Sequence, residues 1–134
     1  MGNVLVTGSN RGIGLEFCRQ LAERGHAVIA ACRRSSPELD RLGVRVEPGV
    51  AIDSADTVEA LERRLDGVSL DLLVNNAGIL ERNGLDHLDF ESVRRQLDVN
   101  AVGTLRVTHA LLGHLRKGSK VTGSGGHVPF ALAC

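Results

Sequence analysis

The segment that most constrains this chain lies near its start. An apolar run, Asn3–Thr7, passes directly into Thr7-Gly8-Ser9-Asn10-Arg11-Gly12-Ile13-Gly14 and from there into an amphipathic stretch. A buried strand that turns through three glycines into a helix has few homes. Glycine lets the backbone turn sharply and come close to a ligand. The free N–H groups at the helix start, together with the positive end of its dipole, suit an anion. No Lys-Ser or Lys-Thr follows the last glycine, so the P-loop arrangement is excluded.

The remaining pattern alternates short apolar runs with longer amphipathic ones. Residues 12–24 read as a helix with Ile13, Phe17, Leu21 and Ala22 near one face and Gly25 as its stop. Ala27–Ala31 is a second strand, and residues 33–43 form a loop with at most one helical turn. Residues 44–50 make a poor third strand, interrupted by Pro48 and Gly49. A helix over 54–65 carries Val58, Leu61 and Leu65, and residues 70–74 are a fourth strand. Asp89 caps a long helix reaching to about residue 116, with Val93, Leu97, Ala101, Leu105, Thr108, Leu112 and Leu115 as its inner stripe. Lys120-Val121-Thr122 opens a fifth strand. Strand and helix in alternation predict right-handed crossovers and a doubly wound, parallel α/β sheet covered on both faces.

Composition narrows the function classes. Sixteen basic and sixteen acidic side chains give zero net charge, which argues against nucleic acid or an anionic membrane as an electrostatically driven partner. No apolar run approaches the ~20 residues of a membrane span, and the first residues read as a strand, not a leader. Three cysteines without a CxxC pair fit a reduced, cytoplasmic setting. His109 and His114 stand five apart, a spacing that aligns no two ligands, and with His26, His87 and His127 they read as packing or surface residues, so no metal is expected. Tyr is absent and only Lys117 and Lys120 represent lysine, which closes any mechanism that needs a tyrosine acid or base from these residues.

The TGxxxGxG spacing of Thr7 to Gly14 recurs with a second motif, Asn75-Asn76-Ala77-Gly78, directly after the fourth strand. Asparagine amides there can tie loop backbone groups that would otherwise be buried unpaired. Together these motifs resemble the short-chain dehydrogenase/reductase family, loosely its C-factor or sniffer-like branch. The resemblance implies a Rossmann-like fold and a nicotinamide dinucleotide. It implies that Gly8, Ser9, Asn10, Arg11, Gly12, Ile13 and Gly14 bind the phosphates and adenosine ribose, and that Asn76, Ala77 and Gly78 lie beside the adenosine. It also implies that Asp53 meets the adenine amino group, although Asp53-Ser54 is equally a good helix cap, and that Asn100 in Asn-x-x-Gly anchors a water in the proton relay. Enzymes of this fold that use NAD carry an acid at the end of the second strand. Here that place reads Cys32-Arg33-Arg34, and a guanidinium pairs with phosphate through a charge-assisted fork. NADP is therefore expected over NAD, with Arg33 on the extra phosphate and Arg11 as a further cation.

The resemblance covers residues 2–121, and relatives continue through a catalytic Ser and a Tyr-x-x-x-Lys helix. Residues 1–121 are thus expected to be an incomplete NAD(P)-binding domain that stops at about the fifth strand. Residues 122–134 then read as an unrelated, flexible tail in which Ser124 has the wrong neighbours. A truncated or frame-shifted reading of a longer gene would explain the change. The expected function is an NADP-dependent oxidoreductase acting on a small carbonyl or alcohol. The alternative is a non-catalytic dinucleotide-binding module or inactive remnant. The substrate stays open, as does a homo-oligomer. An open central strand edge would favour association and a marginal stability.

Overall fold

Five strands carry the structure: β1 (Asn3–Thr7), β2 (Ala27–Ala31), β3 (Arg45–Glu47), β4 (Leu70–Asn75) and β5 (Leu115–Gly123). The computed structural model describes residues 2–123, and within them the strands form one sheet in the order β3-β2-β1-β4-β5 with every neighbouring pair parallel. Helices α1 (Gly12–Glu23), α2 (Pro37–Asp40), α3 (Ala55–Arg64), α4 (Phe90–Leu97) and α5 (Thr104–Ala110) complete a Rossmann-like α/β fold. Among the described residues no helix is long and apolar enough to cross a membrane. Ser124 and the rest of 124–134 lie outside the described residues. Lys120, Val121 and Thr122 pair with Leu72, Leu73 and Val74 as the expected fifth strand, and Gly123, expected to end it, continues it opposite Asn75.

Alternation along β1 builds two cores. Val4 and Val6 face α1 and α2, packing with Val28, Ala30, Cys18 and Leu39, while Leu5 faces the other side with Leu61, Leu73, Val107 and Leu111. All three β1 residues are essentially inaccessible, each side chain stabilising by about 2 kcal/mol through burial.

Two helical expectations are corrected. On α1 the inward positions are Gly14 and Cys18, with Leu15, Leu21 and Ala22 packed against the core. Ile13 is 63% exposed and Phe17 lies at the rim. The long helix is three pieces. Asp89 caps α4 as expected, its carboxylate accepting from the N–H groups of Glu91 (3.0 Å) and Ser92 (3.3 Å). A π-turn, Asp98–Gly103, then separates α4 from α5, and the helix ends at Ala110, six residues early. Each π-turn adds a residue to the helical repeat, so the stripe drawn through 3.6-residue spacing is rotated off the core. Beyond the turn Leu105 and Leu112 face outward, as Leu97 does just before it; Gly103, Val107 and Leu111 face inward, while Thr108 and Leu115 meet the core as expected.

The sheet's β3 edge is short and guarded by charge, a device that blocks strand addition. Glu47, nearly buried, bonds Arg64 (2.6 Å) and Arg45 (2.9 Å). Burial pushes its carboxyl upward, but the two guanidiniums outweigh burial and hold it below the ordinary value of 4.5. The unfolded chain therefore takes up this proton more readily than the folded one. The stabilisation from Glu47 is complete above 4.5 and drains away as pH falls through the lower folded value. Glu47→Gln is expected to lower stability by about 1–2 kcal/mol at neutral pH and to flatten the acid limb of urea midpoint against pH. An unchanged acid limb would contradict this.

Candidate active site

The carboxyl ends of β1, β2 and β4 open into a cleft of about 1030 Å³, at the upper end of small-molecule sites (about 300–1,000 Å³). The glycine turn forms its floor. Gly8 and Gly12 sit at φ +62° and +56°, the left-handed region that favours glycine. A Cβ on Gly8 would come 2.8 Å from the Ala77 Cα, so the absence of a side chain lets the two motif loops touch. Gly14 is more tightly enclosed: a Cβ there would fall inside the radii of the Gly8 carbonyl oxygen and the Asn76 amide nitrogen.

Thr7 ties the loops together, a role the sequence reading missed. Its hydroxyl oxygen accepts from the N–H groups of Asn76 and Ala77, both at 3.0 Å, and the Asn76 amide donates to the Gly8 carbonyl at 3.0 Å. The signal was a Thr closing a buried strand, where a hydroxyl must find partners. Ser9 is fully buried and donates from Oγ to the Ala31 carbonyl at 3.0 Å, so it braces the turn against β2 and does not face the cleft.

The start of α1 is bare. Arg11 occupies the N-cap without a side-chain cap bond, and the first turn holds no acid. The amides at this helix start have no side-chain cap, and the turn that carries them lines the cleft through Asn10, Arg11, Gly12 and Ile13. Arg33 follows β2 on the neighbouring wall, beside Cys32, whose thiol burial pushes up. Arg33 makes no ion pair among the described residues, leaving its guanidinium available. Asp53 comes after β3 on the same wall, and Ala77 and Gly78 close the side below β4.

Asn100 stands in the π-turn, outside the cleft lining. Its Oδ1 accepts from the Ile79 N–H and its Nδ2 donates to the Ile79 carbonyl, both at 2.8 Å. That two-point clamp, together with the widened turn, gives this poor helix former a reason to be there. The cleft mouth carries Glu81 and Arg95, joined at 2.9 Å, and Arg95 followed by Ser92 holds the Glu81 carboxyl below its ordinary value. The structure thus gathers Gly8, Asn10, Arg11, Gly12, Ile13, Arg33, Asp53, Asn76, Ala77 and Gly78 around one cleft, while Ser9, Gly14 and Asn100 act from behind it.

These features have parallels in known proteins. A dehydrogenase of Rhodococcus sp. (strain AD45), named for 1-hydroxy-2-glutathionyl-2-methyl-3-butene, is 42% identical over 123 residues, covering 90% of this chain and 54% of its own length. A carbonyl reductase from Pseudomonas aeruginosa PAO1, solved in complex with NADP, superposes with a TM-score of 0.83 at 31% identity, over 92% of this chain and 60% of that one. A short chain dehydrogenase from Burkholderia cenocepacia J2315, also with NADP, gives 0.79 at 29% identity, over 96% and 58%. The chain spans about half the length of the curated relatives it matches. The family profile described as short chain dehydrogenase matches residues 2–128, and the chain belongs to that family of oxidoreductases.

Proposed function

We propose that this chain binds NADP(H) in the cleft at the carboxyl edge of its sheet, as part of an oxidoreductase that moves a hydride between nicotinamide and a small carbonyl or alcohol. The observation that carries the reading is the uncapped start of α1 at a cleft that also holds Arg33, a cation with no ion pair among the described residues. The residues fit the group: a Cβ at Gly12 would meet nothing within 4 Å, so the turn is open there, and Arg11 and Arg33 line the same cleft. In this reading residues 8–14 receive the diphosphate and adenosine ribose, with Ser9 and Gly14 shaping the turn. Arg33 takes the extra phosphate with help from Arg11, Asp53 accepts from the base, and Asn76, Ala77 and Gly78 flank the adenosine. Asn100 fixes the Ile79 backbone and holds a water for proton transfer. When bound, the nicotinamide supplies or accepts the hydride. The two NADP-bound relatives support this choice of cofactor.

The absence of tyrosine from all 134 residues favours a second reading, in which these residues bind the dinucleotide without turnover. Calorimetric titration with NADPH and NADH, followed by an assay of NADPH oxidation with aldehydes and ketones, tests both. NADPH is expected to bind about tenfold or more tightly than NADH. Equal affinities, or tighter NADH, would defeat the NADP choice. Turnover by the purified chain would defeat the second reading.

A further inference from the structure

The π-turn touches both walls of the cleft. On one side Asn100 clamps Ile79. On the other, Gly103 packs against Ile52, a cleft-lining residue that is almost wholly buried. A Cβ on Gly103 would stand 2.9 Å from Ile52 Cδ1 and Cγ1 and 3.1 Å from its carbonyl oxygen. Arg106, the first arginine after the turn, donates to that same carbonyl at 2.5 Å, and its guanidinium is held 3.6 Å from the Asp98 carboxylate at the turn's start. The Ile52 carbonyl belongs to the peptide unit whose N–H is that of Asp53. Arg106 therefore grips the very peptide from which the Asp53 side chain projects. The Asp53 carboxylate lines the cleft and makes no bond among the described residues. An exposed acceptor carried on a peptide held in this way suits a ligand that offers an N–H donor.

We propose that Gly103 and Arg106 are positioning residues for the base end of the dinucleotide site: they hold the Ile52–Asp53 peptide so that Asp53 selects a purine bearing an amino group over one bearing an oxo group. This rests on the dinucleotide reading above. A carboxylate carried on a held peptide distinguishes a donor from an acceptor, because the mismatch leaves two acceptors facing each other. A carboxylate on a loosened loop swings aside and discriminates little. The Asp98–Arg106 bridge and the glycine contact thus set specificity through the Ile52–Asp53 peptide, without touching the base.

The test compares NADPH with its hypoxanthine analogue, whose base carries the oxo group, by titration of the full chain. The wild type is expected to favour the adenine form about tenfold. R106M is expected to raise the NADPH Kd about tenfold and to bring the ratio of the two Kd values toward 1, with R106K recovering part of the ratio. G103A, which pushes Ile52 from the other side, should lower the ratio as well. A purely structural role would lower the thermal midpoint and leave the ratio unchanged. Should R106M not fold, R106K and D98N carry the same comparison. A wild type that binds neither NADPH nor NADH overturns the cofactor reading and this inference with it. A wild type that binds but shows a ratio of 1, or variants that keep its ratio, overturn this inference alone.

Discussion

Gly14→Ala is expected to destabilise the chain by about 3 kcal/mol and to abolish dinucleotide binding at any temperature where the protein is marginal. The added methyl has nowhere to go. It meets the Gly8 carbonyl oxygen on one side and the Asn76 amide on the other, and these two groups are already bonded to each other at 3.0 Å. Relief requires the glycine turn and the Asn-Asn-Ala-Gly loop to separate, which strains the bonds from Asn76 and Ala77 to the Thr7 hydroxyl. Thr7 is buried, so a freed hydroxyl there costs more than the bond itself. Gly12→Ala is a useful contrast, because nothing lies near its Cβ and only the left-handed backbone resists, a cost of about 1–2 kcal/mol. Urea denaturation of both variants checks the order. A Gly14 variant no worse than the Gly12 variant would mean that the two loops do not lock as described.

Arg33→Ala is expected to weaken NADPH about 10- to 100-fold and to leave NADH within about threefold. The guanidinium has no acid to satisfy it among the described residues, so removing it breaks no internal bond and should leave the thermal midpoint near the wild-type value. The loss is therefore one of binding and not of folding. It should also shrink with added salt, since an exposed charge is screened within about 8 Å at physiological ionic strength. Titrations of wild type and variant at two salt concentrations read this directly. An equal loss for both dinucleotides would place Arg33 on a phosphate common to them.

Much of the scaffold was readable in advance, and the reason is physical. β1 and β2 end where their apolar runs end, because strands buried on both faces tolerate no polar residue in mid-run. The cap at Ser54 and the stripe of α3 were visible because that helix is regular and covers the sheet. The long helix was misread because the 3.6-residue count assumes an unbroken repeat. Asn100 and Gly103, both poor helix formers three apart, were the available sign that it breaks. The site divides in the same way. Residues whose identity is dictated by backbone geometry, such as Gly8 and Gly14, announce themselves by spacing. Residues that act through contacts distant in sequence, Thr7 with Ala77 or Arg106 with Ile52, carry no local pattern at all.

Cys18 and Cys32 lie on the layer between the sheet and α1, both sealed from solvent and neither bridged. Burial pushes the Cys18 thiol up to about 12, and alkylating reagents attack only the thiolate. These sulfurs can react only when that layer parts. Their labelling rate is accordingly a clock for how often the layer beside the glycine turn opens. Any ligand that grips the glycine turn should slow it.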